Sequence, residues 1–281
     1  MRKLALACIV LCGLAAPGIA ADVPVFAPYE PPPLLRPLYS WTGCRIGVNI
    51  GGGAAPQTFT DTAGTFSGPP GSTPGLSLGP HTARGVAGGG QIGCDYQAGP
   101  FVFGIQGFYD LTGMKANNLQ PNGFFLNNSF LQSVATLTGR VGYTVTPTVL
   151  LYAKAGAAWV HDRYNVATPT GLALNLCPGT MMLGPICAGG VPPVLVGPGT
   201  FLALGDPTET GWTAGVGAES ALFGSNWSVF LEYNYMNFGT TSVIFRSATA
   251  PGLTFPLDIR QSVNVVLFGL NYRFYGGAPW L

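Results

Sequence analysis

The chain has 281 residues; charged side chains are only 8% of it, 42 residues are glycine, and mean hydropathy is +0.35. Soluble proteins carry about 25% charged residues, so this composition excludes an ordinary water-covered domain. Beyond the first 20 residues no segment offers about 18 unbroken apolar residues, which excludes helical membrane spans as well.

Residues 1–20 read as an export signal that is cleaved. Arg2 and Lys3 form the positive region, Leu4 to Leu14 the apolar stretch, and Gly18-Ile19-Ala20 the small-residue site before Ala21-Asp22. Cys8 and Cys12 lie too early for a lipoprotein signal and lack the small-residue box before them. Removing Arg2 and Lys3 from the 12 basic residues leaves 10 against 11 acidic, a net charge of −1. That balance argues against nucleic acid as a partner and leaves no polybasic lipid anchor. Residues 21–40 follow as a periplasmic leader. Pro24, Pro28, Pro31, Pro32, Pro33 and Pro37 fall there, as in an extended polyproline segment without a fold of its own.

From Trp41 to Phe274 the chain reads as paired strands, over roughly 42–51, 84–96, 101–111, 131–144, 149–164, 211–222, 227–238 and 260–274. Each has about ten residues or more, enough to cross a hydrocarbon layer when tilted. The connections after the second, fourth and sixth strands are tiny: Gln97-Ala98-Gly99-Pro100, Val145-Thr146-Pro147-Thr148 and Phe223-Gly224-Ser225-Asn226. Those after the odd-numbered strands are long, the longest running from Asn165 to Thr210. Short turns alternating with long loops predict an all-β fold: an eight-stranded antiparallel transmembrane up-and-down β-barrel with short periplasmic turns and long extracellular loops.

Side-chain parity sharpens this. Leu151, Ala153, Ala155, Ala157 and Trp159 share one face of the fifth strand, with Tyr152 and Lys154 on the other. In the fourth, Leu131, Ala135, Leu137, Val141 and Tyr143 oppose Gln132, Thr136, Thr138 and Arg140. The seventh sets Trp227, Val229, Leu231, Tyr233 and Tyr235 against Ser228, Glu232 and Asn234. The eighth sets Val266, Phe268, Leu270, Tyr272 and Phe274 against Asn271 and Arg273. A Lys or Arg on the lipid face near the midplane costs about 2–4 kcal/mol, so the charges are expected in the lumen. That set is Arg45, Asp95, Arg140, Lys154, Glu219, Glu232 and Arg273. Eight strands leave an interior only just wide enough for side chains, which favours a polar plug over an open pore. Trp41, Tyr96, Phe101, Tyr109, Tyr143, Trp159, Trp227, Tyr272 and Phe274 read as interfacial girdles.

Seven segments carry a family resemblance: YSWTGCRIGVNIGGG, GGGQIGCDYQAGPFVFGIQGFYD, LTGRVGY, LLYAKAGAAW, GWTAGVGAE, LEYNYMNFG and VVLFGLNYRF. In this order they resemble the outer-membrane immunogenic proteins of alphaproteobacteria, surface antigens related to the opacity proteins. The resemblance implies a barrel in the cell outer membrane, in contact with lipid and lipopolysaccharide. It also implies insertion by the outer-membrane assembly machinery, which would read the last strand through Phe268, Leu270, Tyr272 and Phe274. The expected role is structural, supporting membrane integrity with exposed loops; a small-solute porin and an adhesin acting through the loops are the alternatives. Two departures stand out. The chain continues through residues 275–281 beyond the aromatic on which the family usually ends, and Cys44 and Cys94 stand where it usually carries aromatics.

Four cysteines follow the signal: Cys44, Cys94, Cys177 and Cys187. In an oxidising compartment an even count suggests disulfides, with three connectivities open. Cys44 and Cys94 share the outward parity near the periplasmic ends of adjacent strands, so either a cross-strand bridge or two free thiols is expected. Cys177 and Cys187 sit in the third long loop, where leucines, methionines and valines are interleaved with Gly and Pro. Capping the mouth, touching lipopolysaccharide, presenting a binding patch and simple disorder all fit that loop.

Signs of catalysis are few. His81 and His161 are the only histidines; HExxH and the P-loop are absent, and no cofactor or metal is expected. His161-Asp162 invites comparison with outer-membrane lipid hydrolases, yet no serine stands beside it. Gly88, Gly90 and Gly93 match GxGxxG without a following helix, and read better as strand glycines. The chain is therefore not expected to be an enzyme.

Overall fold

The computed structural model describes residues 39–62, 74–119, 126–168, 172–177, 180–183, 194–196, 201–222, 225–248 and 254–274. The strands are β1 (Gly43–Asp61), β2 (Leu76–Ala98), β3 (Phe101–Leu119), β4 (Leu126–Thr146), β5 (Val149–Ala167), β6 (Leu172–Cys177), β7 (Thr180–Leu183), β8 (Val194–Val196), β9 (Phe201–Gly205), β10 (Thr208–Ala221), β11 (Trp227–Ser247) and β12 (Thr254–Phe274). Eight of them close on themselves. β1 pairs antiparallel with β2 and β12, the pairing steps through β3, β4 and β5, and β10 joins β5 to β11. The sheet therefore has no open edge, the only way a β-structure satisfies its backbone in lipid. β6, β7 and β8 form a separate three-stranded sheet.

The strands are about twice as long as a hydrocarbon layer requires. Connections read from the sequence as long loops prove to be largely hairpin: between β3 and β4 only residues 120–125 separate the strands. The extension has a physical basis, because alternate residues beyond the lipid band are apolar and turn inward. Phe59, Leu78, Tyr164, Phe245, Leu257 and Ile259 are all buried there. β9 continues the line of β10, pairing with β5 and β11 above it. The break at Asp206-Pro207 follows from the missing proline N–H. At the other end the turns are tight. Gly99-Pro100 alone joins β2 to β3, with Gly99 at φ +60°.

Outward residues define the lipid band: Val48, Ile50, Val86, Ile92, Ile105, Leu137, Val216, Leu231 and Phe268 are all exposed. Aromatics flank it. On the periplasmic side Phe101 stacks edge-on with Tyr143, and Tyr272 with both Trp227 and Phe274. On the outer side Trp212 meets Tyr235 at 5.5 Å, with Tyr109 and Trp159 on other strands.

Two expectations are corrected. Trp41 is no girdle residue: it precedes the first strand and is 0% exposed, folded into the barrel mouth. Leu131 does not face lipid. An irregularity in register between Leu131 and Ser133 breaks the alternation, and Leu131 is buried inside.

The signal segment 1–20, most of the leader 21–40, the tail 275–281 and Cys187 lie outside the described residues, as does the side chain of Cys177.

Candidate functional site: the closed lumen

The lumen is built in layers, each set by residues that the two-residue period turns inward. At the periplasmic mouth Tyr39 and Trp41 pack with Val102, Leu150, Tyr152 and Ala221. Arg273 fastens this segment: its Nε donates to the Tyr39 hydroxyl at 3.2 Å, its Nη1 to the Trp41 carbonyl at 2.5 Å, and its guanidinium lies 5.3 Å over the Trp41 ring. The Trp41 amide in turn donates to Gln97 Oε1 at 2.9 Å.

Above the mouth, five of the seven expected lumen charges meet in one network. Arg140 donates through Nε and Nη2 to both oxygens of Asp95 at 2.7 and 2.6 Å, and through Nη1 to Glu219 at 3.0 Å. Arg45 also pairs with Asp95, and Arg273 Nη1 reaches the same carboxylate at 2.9 Å. The second oxygen of Glu219 accepts from Ser228 at 2.6 Å and Asn271 at 3.0 Å. Lys154 and Glu232 form a separate pair at 2.5 Å. Tyr152 links the two groups, donating to Glu232 at 2.8 Å with its ring 4.8 Å below the Arg140 guanidinium. Glycines make the space. A side chain at Gly93 would meet Arg45 Nη2 at 3.0 Å, and one at Gly217 would strike the Tyr152 ring.

A third layer is apolar: Phe108, Met114, Val134, Phe230, Met236, Val265 and Leu267 fill the barrel above the ions. The sequence reading, polar inside and apolar outside, misses this layer and the Tyr39–Trp41 segment. Val263, Val265 and Leu267 carried the signal, as apolar residues at inward parity in a strand whose other face is apolar too.

On the outer face of the mouth, Cys44 and Cys94 occupy directly opposite ladder positions and are joined as a disulfide. Cys44 also lies opposite Phe274, so the bridge ties β1 and β2 beside the end of the final strand.

A family model described as the outer membrane protein beta-barrel domain matches residues 33–274. The chain belongs to that family. As a member of it, this outer-membrane β-barrel is similar to the 31 kDa outer-membrane immunogenic proteins of Brucella melitensis and Brucella suis. Each is 27% identical over 271 residues, covering 92% of this chain and 95% of the relative. Among solved structures it resembles the Yersinia pestis attachment invasion locus protein Ail at 12% identity and TM-score 0.34. That match covers 83% of this chain and 100% of Ail. It also resembles OprG of Pseudomonas aeruginosa at 13% identity and TM-score 0.42, covering 84% and 97%.

Beyond the outer aromatics the barrel holds a second polar group, of which the sequence reading singled out only Asp162, beside His161. Asp162 accepts from Gln261 Nε2 at 2.9 Å, and the Tyr164 hydroxyl donates to Gln261 Oε1 at 2.6 Å. Glu209 is 2% exposed, and its carboxylate oxygens meet no partner among the described residues. Burial lifts Glu209 to about 8, helped by the neighbouring Asp162 charge, and lifts Asp162 itself to about 7. Burial also lowers His81 to about 4. Neighbours in sequence, His161 and Asp162 face opposite ways. His161 turns outward toward Asp206 at 3.4 Å while Asp162 is buried, so they form no catalytic dyad.

Proposed function

We propose that this outer-membrane barrel is a structural surface protein with a closed lumen, and that it performs no catalysis. One observation carries the reading: the side chains of Arg45, Asp95, Arg140, Glu219 and Arg273 are at most 1% exposed where a pore would need water. A network whose members are paired stiffens the wall around it, which suits a structural role in the membrane. On this reading residues 1–20 are a cleaved signal and 21–40 a periplasmic leader that runs into the Tyr39–Trp41 plug. The assembly machinery reads Phe268, Leu270, Tyr272 and Phe274 despite the tail, and nucleic acid is no partner. Refolded protein in a planar bilayer is expected to give no steady single-channel steps; a regular unitary conductance would replace this reading with a small-solute porin.

The sheet of β6, β7 and β8 favours adhesion as a second reading, because it contributes no strand to the wall. Deleting residues 172–196 is expected to spare the barrel, whereas a cut from Asn165 to Thr210 removes wall pairings of β5, β9 and β10. Adhesion predicts that the shorter deletion abolishes cell attachment; unchanged attachment dismisses it.

A further inference from the structure

The barrel wall sorts charge by sign beyond the lipid band. Asp61, Asp162 and Glu209 are buried inside there, while Arg84, Lys115, Arg163, Arg246 and Arg260 are exposed outside, against only Asp206 and Asp258 on that face among the described residues. Each of these cations lies outward of the last lipid-facing residue on its strand, as Arg84 does beyond Val86 and Lys115 beyond Leu111. Neutral parity alone has no reason to produce this separation.

Three of the cations share one registered row. Arg84 stands opposite Lys115, Lys115 opposite Phe130, and Phe130 opposite Arg163. Strands are about 4.8 Å apart, so the row spans roughly 14 Å of the outer face. Lys115 Nζ sits 5.8 Å over the Phe130 ring. Between Lys115 and Arg163 runs a groove of about 540 Å³ lined by Leu111, Gly113, Lys115, Phe130, Gln132 and Arg163, with Arg84 beside it on β2 opposite Lys115. It is apolar at its membrane end, where Leu111 is 63% exposed, and cationic at its outer end. Asp206 approaches Arg163 at 3.8 Å, but no salt bridge engages Arg84 or Lys115 among the described residues.

We propose that this row and groove bind a phosphorylated glycolipid of the outer leaflet, with the phosphate between Arg84 and Lys115 and acyl chain along Leu111 and Gly113. Two observations select that occupant. Phosphate is the anion that guanidinium and ammonium groups hold at a membrane surface. The groove opens onto the lipid band, so its ligand needs an anionic head and an apolar tail in that order. A second copy of the chain fits poorly, because the same row would face its own charge.

The test uses the refolded full chain in detergent micelles, with native mass spectrometry reading retained lipid. The probes are diphosphoryl lipid A, lipid A stripped of both phosphates, and inorganic phosphate. Diphosphoryl lipid A is expected to be retained over the stripped form. Arg84→Gln with Lys115→Gln should weaken it at least tenfold, and Lys115→Arg should restore most of the loss. Arg246→Gln with Arg260→Gln is expected to leave binding unchanged, since both lie off the row. Heat-dependent gel mobility identifies folded variants, and the single Lys115→Gln serves if the pair does not fold. Equal retention of the two lipids, undiminished affinity in the row variant, or displacement of lipid A by equimolar inorganic phosphate overturns the proposal.

Discussion

Glu209→Gln gives the sharpest test of how this interior is held. Glu209 is 2% exposed, without a hydrogen-bond partner among the described residues. The titratable groups beside it are Asp162 and Tyr164, neither of which supplies positive charge; Arg163 and His161 on the same strand turn outward. Burial therefore raises its carboxyl from 4.5 to about 8. Between those values the folded state holds a proton that the unfolded chain has released, so stability falls as pH rises. At 1.36 kcal/mol per pH unit over about 3.5 units, the loss is at most about 5 kcal/mol. The glutamine variant keeps the shape and cannot ionise. Urea unfolding in lipid vesicles should find the two proteins equal near pH 5 and the variant more stable near pH 9. With a denaturant slope of about 2 kcal/mol per M, the midpoints would separate by up to about 2.5 M. Asp162, lifted to about 7, adds a fall at lower pH that both proteins share, so the difference isolates Glu209. Parallel midpoints from pH 5 to 9 would refute the reasoning.

Three further outcomes follow from the lower layers. Arg140→Ala removes the group that bridges Asp95 and Glu219, and stranding buried charge is expected to cost about 3–5 kcal/mol in urea unfolding; a loss below about 1 kcal/mol would mean the ions are wetter than their burial implies. In variants keeping a single tryptophan, brominated acyl chains should quench Trp212 and Trp227, which are exposed to lipid, and spare Trp41 inside the mouth; equal quenching would expel Trp41 from the barrel. Replacing Cys44 and Cys94 together by alanine opens a link across 50 residues and should cost about 4 kcal/mol by the chain-entropy relation, while peptide mapping that finds both thiols free would remove the bridge altogether.

Parity made the barrel legible because lipid penalises error at every second residue. Lys154 cannot face acyl chains, so Leu151, Ala153 and Ala155 must, and the face of the whole strand follows. The same rule said nothing of Trp41, which lies before the first ladder position, where no alternation exists to orient it. It failed at Leu131, where a one-residue irregularity exchanges the faces. It also missed the apolar layer. Val263, Val265 and Leu267 break the polar-inside rule in the sequence itself, but an inward Val265 and an outward Val266 are the same residue type, and closure of the ring shows that both sides of β12 are apolar for different reasons. Partners inside the lumen were hidden for a related reason. Asp95 meets Arg140 and Arg273 across positions 45 and 178 residues distant, and which cation reaches which acid depends on strand tilt, not spacing.

Two barriers of different kinds lie in series, and this decides what opening the lumen would require. The ionic layer blocks passage by occupying the cross-section with paired guanidinium and carboxylate groups. Above it, Phe108, Met114, Phe230, Met236, Val265 and Leu267 close the bore with apolar surface, and a constriction of that kind excludes ions by dewetting whatever the charge beneath it. Removing the plug alone should therefore leave the barrel silent: Trp41→Ala with Arg140→Ala opens the periplasmic half onto a dry wall. Adding Met114→Ala and Phe230→Ala removes two large side chains from the apolar layer and should allow small, salt-dependent steps in a planar bilayer, provided gel mobility shows the barrel still folded. Conductance from the Trp41 and Arg140 pair alone would place the whole barrier in the ions and end the two-barrier argument.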